Sequence, residues 1–131
     1  MNRVTHDLLS GSDAWHKFRL TKFGASEAAA MLGLSATMTR TELLRMKHTG
    51  LAREFSDWLQ AHVLDRGHKV EALARPHAEA FVGDDLFPVT RSMGRLSASC
   101  DGLTLDDSIA WEHKQWSESL SDRMTVGIMP A

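Results

Sequence analysis

The sequence predicts an α+β (α/β) domain in which helices precede a short antiparallel meander. Apolar residues recur at helical spacing through the first part of the chain, and three short segments with strand-like composition follow. Helical signals followed by strand signals are typical of the α+β class. The length of 131 residues suits one domain, so residues 1–131 are interpreted as a single unit.

Two early helices have recognisable ends. The first is expected to begin with Ser26 as its N-cap and to stop at Gly33. The second is expected to begin at Thr39, because Thr39 and Glu42 have the spacing of a capping box, and to end at Gly50.

A longer helical stretch is predicted between Phe55 and Phe81, where apolar residues again follow the helical period. Gly67 and Pro76 are expected to break or kink it. Three strands are predicted next, at residues 87–90, 96–100 and 109–112, each bounded by Gly, Asp or Ser. A short polar piece compatible with a helix follows Lys114.

Composition limits the class of protein. The chain is 43% hydrophobic and 24% charged, as in an ordinary globular protein. No apolar run approaches the roughly 18–20 residues of a membrane span, and the N-terminus lacks the apolar core of a secretory signal. The single cysteine, Cys100, excludes an internal disulfide. These features favour a cytoplasmic protein. The seven histidines show no spacing typical of zinc ligands.

Charge is unevenly distributed along the chain. A net charge of −2 and a pI near 6.4 are unusual for a nucleic-acid binder. Residues 1–75 nevertheless hold 11 basic and 8 acidic side chains, whereas residues 76–131 hold 4 and 9. Basic residues that hold phosphate and carboxylates that hold a metal would both be needed in a nuclease, although chance unevenness explains the asymmetry equally well.

The most informative segment is a predicted hairpin between residues 95 and 114. If Asp106 and Asp107 form a two-residue turn, residues whose numbers sum to 213 face each other, so that Asp101 lies opposite Glu112. Ser99 then lies opposite Lys114. Because strand side chains alternate, these four share one face. The opposite face carries mainly apolar residues suited to packing on helices, namely Ala98, Cys100, Ile109, Trp111 and His113.

Facing carboxylates suggest a metal site. Asp101 and Glu112, about 5 Å apart at Cβ, would repel each other unless a cation lay between them, and Mg²⁺ prefers such oxygen ligands. The backbone carbonyl of His113 is a further candidate ligand. Lys114 would orient water or stabilise charge on a phosphate, and Ser99 would donate to a phosphate oxygen. The simpler alternative is a solvated strand face.

Several short motifs follow one another along the chain: Trp15–Leu20 with Gly24–Ala28, Gly67–Glu71, Ser99–Leu103 and Glu112–Lys114. In this order they resemble the motifs of the lambda exonuclease/YqaJ-type viral recombinase family, and the first two segments resemble its W-H-x-x-R…A-S-E opening. Gly67–Glu71 is similar to its G-x-x-x-E helix, Ser99–Leu103 to its S-P-D-G-L strand, and Glu112–Lys114 to its E-x-K. Order and spacing fit from residue 11 to about residue 116.

The resemblance implies a PD-(D/E)XK, restriction-endonuclease-like core with a mixed sheet and Mg²⁺-dependent cleavage of phosphodiesters, with Mn²⁺ as a possible substitute. It implies that Asp101, Glu112, the His113 carbonyl and Glu71 hold the metal, and that Lys114 is the catalytic lysine.

The resemblance also implies that Arg19, Ser26 and Ser99 contact the 5′-terminal phosphate of duplex DNA. Arginine offers a bidentate fork to phosphate, and a helix N-terminus at Ser26 would favour an anion. Each residue has a simpler interpretation as well. Arg19 could form a surface ion pair, Ser26 could act only as an N-cap, and Glu71 could pair with Arg75 four residues on.

Two departures from the family pattern stand out. Cys100 replaces the usual proline and is expected to be tolerated on the packed face. The family core also continues beyond the E-x-K strand with a helix and a strand, so the chain is expected to be a partial, C-terminally truncated domain that lacks them.

The function implied is that of a 5′→3′ double-stranded DNA exonuclease from a phage-type recombination system. The resemblance further implies a homotrimer, for the full-length family, and a single-strand annealing protein as partner. Two alternatives remain: a non-catalytic module that binds DNA or protein, and a PD-(D/E)XK endonuclease.

Overall fold

The fold is built around a mixed β-sheet. The computed structural model describes residues 2–51 and 63–127. In these ranges the strands are β1 (Val4–His6), β2 (Phe23–Gly24), β3 (Phe87–Met93), β4 (Leu96–Leu103) and β5 (Ala110–Trp111). The helices are α1 (Asp13–Leu20), a 3₁₀ turn (Ala25–Glu27), α2 (Ala28–Met31), α3 (Arg40–Thr49), α4 (Asp65–Val82) and α5 (Glu118–Thr125).

Strand β4 is the centre of this sheet. Antiparallel β3 covers one of its edges, with β1 beyond β3. The other edge is shared, because β2 pairs in parallel at Leu96 and Ser97, whereas β5 pairs antiparallel at Gly102 and Leu103. The α+β class and the three-strand meander are therefore confirmed. The predicted meander was incomplete, since β1 and β2 extend it to five strands.

The two early helices differ in how well they were predicted. Helix α3 has the predicted ends: Thr39 Oγ1 accepts from Glu42 N at 3.1 Å, Glu42 Oε2 accepts from Thr39 N at 2.9 Å, and Gly50 follows with φ 70°. The prediction of Ser26 as an N-cap is wrong. Ser26 lies inside the 3₁₀ turn that precedes α2, although Gly33 does end this region with φ 72°.

Helix α4 runs without interruption through Gly67 and Pro76, so the predicted break there is wrong. Proline removes one backbone donor from a helix, but the turns on both sides of Pro76 remain helical. Phe55, where this stretch was predicted to begin, lies outside the described residues. Helix α1 was not predicted; its N-cap Ser12 accepts from Trp15 N at 3.2 Å.

Few side chains of the described residues are fully enclosed. Ala30, Leu43 and Leu86 form the apolar part of this core, and Thr90, Ser92 and Thr104 are buried among them. The buried hydroxyls are satisfied: Ser92 Oγ lies 2.7 Å from His6 Nε2, and Thr90 Oγ1 lies 3.0 Å from Ser99 Oγ. Burying a hydroxyl without such a partner would be costly.

One face of the sheet is open. A groove of about 710 Å³ runs between β3, β4 and α2, and its lining is mainly apolar. Ala98, predicted on the face suited to packing on helices, lines this groove together with Ala28 and Met31 of α2. Cys100 is half-buried, and burial raises the pKa of its thiol. Within the described ranges, no helix combines the length and apolarity that a membrane span requires.

Candidate functional site

The β4–β5 hairpin has the predicted register. Gly102 pairs with Trp111 and Leu103 with Ala110, which is the same offset as the predicted pairing of Asp101 with Glu112. The two-residue turn is wrong, because the strands are joined by a longer loop in which Thr104 N donates to Ile109 O at 3.0 Å. The register survives because the longer loop is centred at the same position.

The loop stabilises itself through Asp106. Its carboxylate accepts from Ser108 Oγ at 2.6 Å, Ser108 N at 3.0 Å and Thr104 Oγ1 at 2.7 Å. Hydrogen bonds from Ser108, and then from Thr104, lower the pKa of Asp106 to about 2. The two aspartates of the loop therefore have structural partners, since Asp107 is paired with Arg91 at 2.7 Å. Such a loop gives β5 a fixed starting point.

A bulge reorients β4 at Asp101. Phe87 pairs with Leu103 and Val89 with Cys100, so Asp101 and Gly102 together face Pro88. Two residues opposite one interrupt a ladder and redirect side chains. The predicted pairing of Asp101 with Glu112 lies just past the ladder, and there Asp101 Oδ2 accepts from His113 N at 2.8 Å.

Glu71 reaches Asp101 from α4. Burial, a hydrogen bond shared with the Asp101 carboxyl and the negative charge of Asp101 raise the pKa of Glu71 to about 7; Arg75 opposes this and Glu112 adds to it. Arg75 Nη2 lies 3.7 Å from Glu71 Oε1 and donates to Asp101 O at 3.0 Å. The alternative i,i+4 pair is thus present, and it holds Glu71 beside Asp101 on a side chain that is only 20% exposed.

Glu112 and Lys114 face solvent together. Lys114 Nζ lies 2.9 Å from Glu112 Oε1, and their side chains are 53% and 57% exposed. Both residues lie after Trp111, the last residue of β5, so their contact forms outside the β4–β5 ladder. We call Glu71, Asp101, Glu112 and Lys114 the carboxylate group.

The carboxylate group fits a hard divalent cation by its chemistry. Its three carboxylates offer only oxygen ligands, which Mg²⁺ prefers. Burial first, and then the hydrogen bond to Asp101 and its negative charge, raise the pKa of Glu71, and a nearby cation would favour the charged form of that carboxyl. Among the described side chains, however, no three His, Cys, Asp or Glu residues meet closely enough to hold a metal ion together. The Glu112 carboxylate is turned toward Lys114, so closing the site requires that this side chain rotate.

The other three predicted residues gather around Trp15. Arg19 Nη2 donates to Ser26 Oγ at 3.2 Å, and the Arg19 guanidinium lies 4.6 Å from the centre of the Trp15 ring. Trp15 Nε1 donates to Ser99 Oγ at 3.0 Å. We call Trp15, Arg19, Ser26 and Ser99 the anchor group. It presents one partly exposed cation and two hydroxyls, which are the donors that suit a phosphate.

Helix α1 builds this group because Trp15 and Arg19 lie one turn apart on the same side of the helix. Phe18, on the adjoining side, contacts His6 of β1 in a tilted arrangement with ring centres 4.4 Å apart. The helix is thereby fixed on the face of the sheet that carries Ser99.

Two residues near the anchor group had no predicted role. Glu27 belongs to the A-S-E motif, and Lys47 lies on α3. Lys47 Nζ is 2.9 Å from Glu27 Oε2 and donates to Arg19 O at 2.6 Å. The motif spacing indicated Glu27, but no sequence signal points to Lys47, because its partners lie in other elements.

The anchor and carboxylate groups are neighbours on β4. Ser99 belongs to one and Asp101 to the other, so one residue, Cys100, separates them, a distance of about 7 Å along the strand. Two residues of the predicted face therefore contact different helices. Ser99 contacts α1 through Trp15, and Asp101 contacts α4 through Glu71 and Arg75. A ligand with successive negative charges would contact both groups.

Comparison with known proteins gives one family. A family model described as YqaJ-like viral recombinase domain matches residues 14–121, a range that contains every residue of both groups. No curated protein shows significant similarity to the chain.

Proposed function

The chain belongs to the YqaJ-like viral recombinase family, and on that premise we propose that it is a Mg²⁺-dependent nuclease that removes nucleotides from the 5′ ends of duplex DNA in a phage-type recombination system. Such domains are generally nucleases. The observation that carries the proposal is the adjacency of Ser99 and Asp101 on β4, which sets phosphate donors beside carboxylates.

In this proposal the anchor group holds the 5′-terminal phosphate. Arg19 supplies a planar fork that matches phosphate oxygens, and the hydroxyls of Ser26 and Ser99 donate to the same ion. Trp15 keeps the guanidinium in place by stacking and fixes the Ser99 hydroxyl through its indole N–H. The phosphodiester on the 3′ side of that nucleotide then lies toward Asp101.

Asp101, Glu112, Glu71 and the backbone carbonyl of His113 would hold Mg²⁺, or Mn²⁺ in its place. Held there, such an ion would neutralise charge at the phosphate and lower the pKa of water. Glu71 must give up its proton to act as a ligand, and its pKa of about 7 allows this near neutrality. Lys114 exchanges its contact with Glu112 for the attacking water or a phosphate oxygen and so stabilises negative charge there.

Asp101→Ala and Lys114→Ala test the assignment on linear duplex DNA with a 5′-phosphate. Each is expected to lower the rate of Mg²⁺-dependent shortening by about 1000-fold, the size of effect found when a preorganised catalytic group is removed. Asp122→Asn, on the exposed side of α5, is the control and should retain the wild-type rate. Either alanine variant cleaving at that rate would refute the assigned site.

Separate substrates test the direction of degradation and distinguish exonuclease from endonuclease cleavage. Duplexes labelled at one 5′ or one 3′ end should lose only the 5′ label as mononucleotides. Covalently closed circular DNA should stay intact, because it offers no terminal phosphate to Arg19. Cleavage of the circle would favour the PD-(D/E)XK endonuclease instead.

The second candidate is a module that binds DNA without cutting it. It is favoured by the absence, among the described side chains, of three metal ligands that meet. This candidate predicts duplex binding through the anchor group and no cleavage at any Mg²⁺ or Mn²⁺ concentration. The cleavage assay run beside a duplex-binding assay separates the two.

The proposed function carries further expectations about assembly and location. We propose that the protein assembles as a homotrimer that encircles duplex DNA. The proposed partner is a single-strand annealing protein, which receives the exposed strand. A DNA substrate of this kind would be met in the cytoplasm of a bacterial or phage-infected host, which is the proposed location. Light scattering with and without duplex DNA would test the trimer directly.

A further inference from the structure

Among the ion pairs of the described residues, Lys47–Glu27 is the most enclosed, and it lies beside the anchor group. Their side chains are only 9% and 11% exposed. Desolvating two charges is expensive, and such pairs seldom add stability over apolar residues of the same size. What this pair holds in place is therefore more informative than what it contributes to stability.

Both members of the pair hold the anchor group. Lys47 Nζ donates to the Arg19 carbonyl at 2.6 Å and lies 2.9 Å from Glu27 Oε2. Glu27 Oε1 accepts from Gly24 N at 2.7 Å, which fixes the turn that carries Ser26. Lys47 thus fixes the last turn of α1, and Glu27 fixes the 3₁₀ turn.

Charge matters as well as geometry. Glu27 Oε2 lies 3.9 Å from Arg19 Nη2, a loose approach compared with its 2.9 Å contact to Lys47. Without the lysine, Glu27 would pair with the guanidinium directly and compete with any phosphate for it. With the lysine in place, the charge of Glu27 is neutralised and Arg19 keeps its donors for another anion.

We propose that Lys47 and Glu27 are positioning residues for the terminal-phosphate site, with Lys47 acting as the counter-charge that leaves Arg19 free to bind phosphate. The inference rests on the proposed function of the anchor group. Neither residue touches the DNA; both act through Arg19 and Ser26.

The test measures binding rather than cleavage. The full chain in EDTA is titrated against labelled duplexes that differ only in a 5′-phosphate or a 5′-hydroxyl, and the ratio of the two Kd values is the readout. The wild type is expected to prefer the phosphate by about tenfold or more, the size of a charge-assisted hydrogen bond. Lys47→Gln, which can still donate to the Arg19 carbonyl, is expected to bring the ratio close to 1.

A second variant separates charge from folding. In K47Q/E27Q the competing carboxylate is neutral, so the preference for phosphate is expected to return toward the wild-type ratio. Lys22→Met is the matched control, because Lys22 also donates to a backbone carbonyl, that of Gly94 at 2.8 Å. Losing that charge should weaken binding to both duplexes equally and leave the ratio unchanged.

The outcomes are distinct. A wild-type ratio of 1 removes the terminal-phosphate function and this inference together. A wild-type preference that persists in Lys47→Gln overturns the inference alone, and so does a folded K47Q/E27Q protein that fails to regain it. If circular dichroism shows Lys47→Gln to be unfolded, the double variant decides. Loss in the single variant with recovery in the double supports the counter-charge.

Discussion

Two lysine–glutamate pairs, one beside the anchor group and one in the carboxylate group, have the same N–O distance but differ in burial. Lys47–Glu27 and Lys114–Glu112 both have an N–O distance of 2.9 Å. The first is about nine-tenths buried on both sides, whereas the second is more than half exposed on both sides. The buried pair is fixed and supports the anchor group, while the exposed pair can separate at little cost and belongs to the group that must rearrange.

The contrast teaches that preorganisation is divided between the two halves. The anchor group is connected by direct hydrogen bonds from Arg19 to Ser26 and from Trp15 to Ser99. The carboxylate group instead holds Glu71 partly buried beside Asp101, and this burial, the hydrogen bond to Asp101 and its negative charge raise the pKa of Glu71. Under the proposed function, the DNA end would bind first to the rigid half, and the carboxylate group would then rearrange around it.

The largest expected difference between the halves comes from removing each glutamate. Glu27→Ala leaves Lys47 buried without its partner and should lower the free energy of unfolding by about 3 kcal/mol. Glu112→Ala removes an exposed partner and should cost less than about 1 kcal/mol. Urea denaturation of both variants checks this. Equal costs would break the comparison.

The bulge between the halves should be nearly as sensitive. A Cβ at Gly102 would lie 2.9 Å from Leu86 Cβ and 3.1 Å from Trp111 Cε3. Gly102→Ala should therefore lower the free energy of unfolding by about 1–3 kcal/mol through overpacking. Gly67→Ala in α4 is the control. Among the described residues its Cβ would meet Gln115 Nε2 alone, at 3.8 Å, and alanine should stabilise the helix by up to about 1 kcal/mol.

The charge on Glu71 should make stability depend on pH. Its pKa is 4.5 ordinarily and about 7 in the folded protein, so the folded state binds the proton more tightly. The stability from this group is full below about pH 4.5 and is lost as the pH rises through about 7.

Glu71→Gln removes that dependence. Its Tm in metal-free buffer should exceed that of the wild type at pH 8 by a few degrees and approach it at pH 5. Glu118→Gln, on α5, is the control and should follow the wild-type curve. Parallel Tm–pH curves for the wild type and Glu71→Gln would contradict the crowding of charge at Asp101.

The smallest change in stability is expected at Lys114. Lys114→Met should alter the free energy of unfolding by less than about 1 kcal/mol, because the pair it breaks is exposed. The same variant should abolish cleavage if Lys114 is the catalytic lysine. Thermal melts run beside the nuclease assay would sharpen the contrast. A large loss of stability would instead make Lys114 a structural residue.

Local signals were enough to predict part of this molecule. The capping box at Thr39 and Glu42 specified α3, because each bond of the cap joins residues three positions apart. The β4–β5 register was predictable from the symmetry of the hairpin around Asp106 and Asp107, even though the turn itself is longer. Ser99 and Asp101 were predicted on the same face of one strand because side chains alternate along a strand.

Non-local pairing explains what was missed. Strands β1 and β2 are three and two residues long, and their partners Ser92 and Leu96 lie far along the chain, so no local pattern specifies them. The bulge that redirects Asp101 depends on its partner strand, where Pro88 cannot donate to the ladder. The contact of Lys47 with Arg19 joins separate helices, and a sequence pattern gives no sign of it.

The parallel pairing of β2 with β4 also has a consequence for synthesis. Phe23 leaves the ribosome roughly seventy residues before its partner Leu96. The hydroxyl that Trp15 bonds, on Ser99, is made later still. The nascent N-terminal segment therefore waits with Trp15, Phe18 and Phe23 uncovered until the β3–β4 hairpin emerges. Slow elongation before that hairpin would lengthen this interval and increase the need for a chaperone that shields aromatic side chains.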